Sequence, residues 1–134
     1  MKILRLVSAT IFCYLLFSVN VQATVIFVSS QQEFNSAHNS AAANDSIIWR
    51  QGTYSDIFMN ITKDRLFIAA ENLGGTIFTG SSRVDIRGDF ITLEGFQFLD
   101  GNIGTNDVIN TRGSYNVFTP VSYTHLTLPT ILLV

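Results

Sequence analysis

Cysteine is nearly missing from this 134-residue chain, with Cys13 its single example. An intrachain disulfide scaffold is thereby excluded, and the fold must rest on packing and backbone hydrogen bonds. Basic charge is also scarce: eight Lys and Arg stand against ten Asp and Glu, a formal net charge of -2. That balance lacks the basic excess of a nucleic-acid footprint. Charged residues make up only 13% of the chain while phenylalanine alone numbers 11, which excludes a disordered polyelectrolyte. Long apolar runs are missing as well. Leu6–Phe17 is interrupted by Ser8 and Thr10 and falls short of the ~20 residues that cross a bilayer.

What is present divides into three parts. Residues 1–23 read as a secretory signal peptide: Lys2 and Arg5 precede the apolar stretch, and Val21-Gln22-Ala23 offers small residues at the two positions a signal peptidase inspects. The alternative is an N-terminal membrane anchor, which the short run disfavours. Cys13 sits in mid-run without a cleavage site before it, so a lipoprotein anchor fits poorly. Cleavage predicts an exported protein, periplasmic or extracellular, with no membrane attachment. It also removes the one cysteine and leaves six basic against ten acidic residues. Asn44-Asp45-Ser46 and Asn60-Ile61-Thr62 are glycosylation triplets of low specificity. Residues 121–134 contain no Asp, Glu, Lys, Arg, Gly or Asn. This change of texture predicts a non-native tail, with an ordinary β-branched strand as the alternative. His125 lies in that tail and receives no role.

Between these ends, Ser30-x-x-Glu33 has capping-box spacing, and Phe34, Ala37, His38 and Ala41 recur at helical intervals. They predict a short amphipathic helix ending at the Asn44-Asp45 turn, with His38 at the edge of its apolar face. After Asp45 the chain becomes a series of very short apolar or β-branched runs punctuated by Gly, Asn and Asp. Ile48, Ile68, Ile91 and Val117 mark comparable runs 20, 23 and 26 residues apart. A period of that order signals a solenoid. Tiny strands with no further helix predict an all-β, right-handed parallel β-helix, its open end plugged by the capping helix. The predicted inward ladder is Ile48, Phe58, Ile68, Phe78, Ile86, Ile91 and Phe98. A β-sandwich is the alternative, and it accounts less well for the period.

The ordered steps Gly52-Thr53-Tyr54, Thr79-Gly80-Ser81-Ser82 and Gly88-Asp89-Phe90-Ile91-Thr92-Leu93-Glu94-Gly95-Phe96-x-Phe98 resemble the N-terminal coils of polysaccharide lyase family six, the alginate lyase and chondroitinase B family. Asn44 stands where that family usually has glycine before Asp45; asparagine also accepts left-handed angles. The segment Asn60–Arg65 is shorter than the family's usual connection. The resemblance covers residues 24–119. It implies β-elimination on an acidic polysaccharide such as alginate or chondroitin/dermatan sulfate: a lysine takes the C5 proton of a uronate, an arginine assists at the leaving oxygen, and calcium neutralises the substrate carboxylate. The resemblance places those groups on later coils, so residues 24–120 are expected to be the first coils of a lyase domain, inactive as they stand and without calcium of their own. No catalytic or metal residue maps here, and substrate-binding residues stay unassigned. A non-catalytic β-helix that adheres to surfaces or carbohydrate is the alternative, since architecture does not fix function. A genuine small protein is a third reading, opposed by the lack of a second cap after Phe118.

Among the charges, Lys63 reads as a solvated turn residue. Arg83, Arg87 and Arg112 could line a polyanion groove, but exposed turn or strand-face charge beside Asp85, Asp89 and Asp107 is the favoured reading, since surface pairs are commonplace. Asp107, Asn110 and Arg112 form the densest polar group, which turn chemistry accounts for.

Overall fold

The computed structural model describes residues 21–101, 104 and 106–124. Most of the predicted signal peptide and the tail beyond Thr124, His125 included, lie outside the described residues. Strand β1 (Val25–Val28) leads into helix α1 (Gln31–Ser40). The chain then winds through β2 (Ser46–Trp49), β3 (Gly52–Ser55) and β4 (Phe58–Ile61), and again through β5 (Phe67–Ala70), β6 (Thr76–Gly80) and β7 (Arg83–Ile86). A third circuit takes β8 (Thr92–Glu94), β9 (Phe96–Gly101) and β10 (Ile109–Thr111), and β11 (Val117–Thr119) and β12 (Ser122–Thr124) begin a fourth. Each strand pairs in parallel with its counterpart one circuit on. The result is three parallel sheets: a first, β1-β2-β5-β8-β11, a second, β12-β9-β6-β3, and a third, β10-β7-β4. This is a parallel β-helix with one capping helix, and no sandwich is formed. Of the segment set apart by composition, Ser122–Thr124 enter it as β12, Ser122 pairing with Gln97 on β9.

Burial follows from pairing register. Ile47, Ile68, Leu93 and Phe118 are aligned on the first sheet, at intervals of 21, 25 and 25 residues. The interior holds Ile47, Trp49, Met59, Ile61, Ile68, Phe78, Val84, Ile86, Leu93, Phe96 and Phe98. Ile68, Phe78, Ile86 and Phe98 thus face inward as expected. Ile48 and Phe58 do not: Ile48 pairs with Phe27 and Ala69 on the outer side, and Phe58 is 37% exposed beneath the Arg83 guanidinium. Both belong to runs of consecutive apolar residues, in which alternation alone cannot choose a face. Trp49 decides the first run because only the core end accommodates its indole. Ile57, Met59 and Ile61 decide the second by alternating inward from the corner. Ile91 is fully buried, but at a corner ahead of β8.

The cap works by completing the open edges of the first coil. Ser30 accepts from the Glu33 N–H at 3.1 Å, as a helix N-cap should. The Glu33 carboxylate reaches one residue farther back than the capping-box expectation, accepting from the Ser29 N–H at 2.7 Å and its hydroxyl at 2.9 Å. Gln31 imitates a neighbouring strand: its amide donates to the Phe58 carbonyl at 2.9 Å and accepts from the Phe58 N–H at 2.7 Å. Edge strand β4 therefore finds its partner in a helix side chain. Phe34 stacks on Trp49 at 5.8 Å, and Trp49 meets Phe78 edge-on at 5.1 Å. Phe78 continues to Phe96 and Phe98, forming an aromatic spine along the axis.

His38 is buried rather than at the edge of the face. Its ring packs on Phe34, and its Nε2 accepts from the Thr62 N–H at 3.2 Å. Burial and then the nearby Lys63 ammonium hold the imidazole below its ordinary value. The unfolded chain therefore binds a proton at higher pH than the folded one. Stability from neutral His38 is complete above the unfolded value of about 6.5 and declines as pH falls through it toward the lower folded value. Denaturant unfolding between pH 7.5 and 5 should show this decline. H38Q, which keeps an acceptor but cannot titrate, should flatten it. Glu33, Asp45 and Asp56 are all lowered chiefly by backbone N–H donors, so their loss belongs to a separate, more acidic window.

Candidate functional site

Connections from the third sheet back to the first repeat with one geometry. Residues 62–66, 87–91 and 112–116 form these turns, and the fourth residue of each has positive φ: Arg65 (56°), Phe90 (57°) and Tyr115 (58°). Successive turns are tied by polar side chains. Asp64 accepts from the Asp89 N–H at 2.9 Å, Asp89 from the Ser114 N–H at 2.7 Å, and Asn116 from the Ile91 N–H at 2.8 Å. The regular winding thus brings residues 25 apart in sequence one above another.

This stacking assembles a polar group on the outer face of the third sheet. Asn60, Asp85 and Asn110 occupy equivalent positions on β4, β7 and β10. Asp85 Oδ2 accepts from Arg87 Nε and Nη2, both at 3.1 Å. Its Oδ1 takes Asn110 Nδ2 at 3.4 Å and lies 4.0 Å from Arg112 Nε. The Asn60 Oδ1 atom is buried without a hydrogen-bond partner among the described residues. Two half-exposed guanidiniums thus share one carboxylate, leaving net positive charge suited to an anion. Arginine cannot serve as a base here, because a guanidinium does not deprotonate in proteins.

Other residues singled out in the sequence are placed elsewhere. Lys63 is not a solvated turn charge: its Nζ donates to the Asn39 and Ala41 carbonyls, each at 2.7 Å, and so closes the C-terminus of α1. Arg83 covers the Phe58 ring at 4.5 Å. Asp89 is occupied within the turn stack. Asp107 is exposed in the connection from β9 to β10 and does not join Asn110 and Arg112. Among the described residues, no three His, Cys, Asp or Glu side chains converge to hold a metal ion. Asp45, Asp56 and Glu33 spend their carboxylates on backbone N–H groups.

Residues 28–132 match the family model described as chondroitinase B. The chain belongs to the chondroitinase B family. No curated protein sequence matches it. Solved structures resemble this chain in fold. The PL6 family alginate lyase AlyGC superposes with a TM-score of 0.69 at 22% identity, over 74% of this chain and 15% of its own. The PL6 family polysaccharide lyase Pedsa3628 from Pseudopedobacter saltans gives 0.66 at 24% identity, over 72% and 24%. A PL6 alginate lyase in complex with a trisaccharide gives 0.64 at 22% identity, over 89% and 26%. This chondroitinase B family chain therefore spans about a quarter or less of each of those lyases.

Proposed function

We propose that the chain supplies the N-terminal coils of an exported polysaccharide lyase that cleaves a uronic-acid polymer, alginate or chondroitin/dermatan sulfate, by β-elimination. The family match over residues 28–132 is the observation that carries this reading, and the trisaccharide complex of a fold relative agrees with a saccharide ligand. In β-elimination a base removes the C5 proton, the C4–C5 double bond forms, and the C4–O bond breaks to release the leaving chain. The mature segment has one lysine to offer as base, and Lys63 is engaged at the end of α1. Base, assisting arginine and calcium ligands are accordingly proposed to lie on coils beyond these. The role of residues 24–120 is then to nucleate and cap the β-helix. Export rests on the leader pattern in residues 1–23.

Ultraviolet absorbance of the unsaturated uronate product tests the proposal. The 134-residue chain, incubated with alginate and with dermatan sulfate, is expected to give no turnover, whereas the gene product with its following coils is expected to cleave one of them. Turnover by the chain alone would place the chemistry within these coils. A longer product that cleaves neither would favour a non-catalytic β-helix.

A further inference from the structure

The turn stack also builds a groove that the lyase reading does not use. On the outer side of the first sheet, Asn44, Arg65, Leu66, Phe67, Phe90 and Thr92 line an open depression of about 480 Å³. That volume falls in the range of small-ligand sites, about 300–1,000 Å³. Leu66 and Phe67 supply an apolar floor, and the half-exposed Phe90 ring forms one wall. The Arg65 guanidinium lies 5.6 Å from the Phe90 centroid, and Phe90 stacks in turn on Tyr115 at 4.9 Å and 8°. The side chains of Asn44, Arg65 and Thr92 have no hydrogen-bond or ion-pair partner among the described residues. No acidic side chain lines the groove. Its neighbours Asp64 and Asp89 are engaged with main-chain N–H groups of the turn stack.

Backbone geometry adds a second observation. Arg65 and Phe90 hold positive φ, where glycine would sit at least cost and where large side chains are uncommon. Bulky groups are nevertheless carried there on successive turns and held side by side. By contrast, the depression between β1 and α1 contains the Glu33 carboxylate, which suits an anion poorly.

We propose that this groove is a binding site for a carboxylate-bearing sugar, one or two uronate units of an acidic oligosaccharide. Arg65 pairs with the carboxylate, the Phe67 and Phe90 rings contact the C–H face of the pyranose, and Asn44 and Thr92 bond its hydroxyls. The choice of a uronate rests on the lyase reading; the positive, aromatic and hydroxyl-binding character of the groove does not. The site would hold polymer at a distance from the chemistry and leave the bond-breaking step unchanged.

The test is calorimetric titration and NMR shift mapping of the 134-residue chain with three tetrasaccharides: an alginate oligomer, a dermatan sulfate oligomer and an uncharged cello-oligosaccharide. At least one acidic oligomer is expected to bind, shifting residues of this groove, and the uncharged one to bind at least about tenfold more weakly, as loss of a charged hydrogen bond implies. R65Q should weaken the acidic ligand about tenfold or more, and F90L by a smaller factor. R50Q, whose guanidinium pairs with Glu71 at 3.7 Å and does not line this groove, should leave affinity unchanged. Equal affinity for charged and uncharged oligomers, an R65Q variant that binds like the parent, or shifts centred on Arg87 and Arg112 would each overturn the proposal. The same variants in the longer gene product separate the two readings. Unchanged turnover with no groove binding refutes the groove alone, whereas groove binding without turnover refutes the lyase assignment alone.

Discussion

Replacing Gly88 with alanine is expected to destabilise the protein by about 3 kcal/mol or more, at the upper end of overpacking effects. A Cβ at this position would fall inside the van der Waals envelope of the Lys63 carbonyl oxygen on the turn below. That obstacle is main chain, and it cannot swing aside as a side-chain tip would. The turn is also fixed from several directions: the Gly88 N–H donates to the Ile61 carbonyl at 3.2 Å, the Asp89 N–H donates to Asp64, and Lys63 is fastened to α1. Relief requires spreading two coils and loosening all of these bonds together. Gly113 meets the Gly88 carbonyl in the same way, so G113A should behave alike one circuit higher. G104N is the control, because Gly104 has open space around it and a φ of 64° that asparagine tolerates. Urea unfolding followed by circular dichroism measures all three. A G88A midpoint close to that of the parent would show that the turns do not stack as tightly as described.

Truncating Trp49 to alanine should cost about 3–5 kcal/mol, the usual range for a large aromatic removed from a core. Trp49 is fully buried and touches Phe34, Tyr54 and Phe78. It therefore joins the cap, the second sheet and the next coil, and its loss should loosen α1 first. Hydrogen exchange should show this as faster exchange in Gln31–Ser40 than in β7 and β8. W49F should cost far less than its lost volume suggests. The indole Nε1 is buried without a partner among the described residues, and phenylalanine removes that desolvated donor along with the extra ring. Circular dichroism is the suitable probe, since this is the only tryptophan. A W49F variant as unstable as W49A would mean that the indole N–H is satisfied after all.

Several features were legible because they depend on neighbours in the chain. The helix start at Ser30 was one, since a cap bonds within four residues. The solenoid was another, because tiny strands recurring at a fixed interval leave few other ways to bury their apolar faces. The family steps around Gly52, Gly80 and Gly88–Phe98 carried the rest of the fold. Register within a continuous apolar run was not legible: Ile48 and Phe58 face outward because Trp49 and the Ile57–Met59–Ile61 alternation claim the core. The role of Lys63 was hidden for a related reason, as its partners Asn39 and Ala41 lie more than 20 residues away.

The two arginine-bearing surfaces show the same division. Arg87 and Arg112 were visible as charges, yet their sharing of Asp85 depends on coils that stack with a 25-residue offset. The equal spacing of Arg65, Phe90 and Tyr115 was the one available signal for the second groove, and it becomes meaningful once each is known to hold the same turn position. By itself, the sequence determined the kind of molecule: a cysteine-poor, mildly acidic β-helix of the chondroitinase B family with a capped first coil. Only the tertiary structure decided which side of each strand faces inward and which distant side chains meet. The physical reason is that strand alternation fixes two faces without naming them, and parallel stacking selects one by packing a whole coil at once.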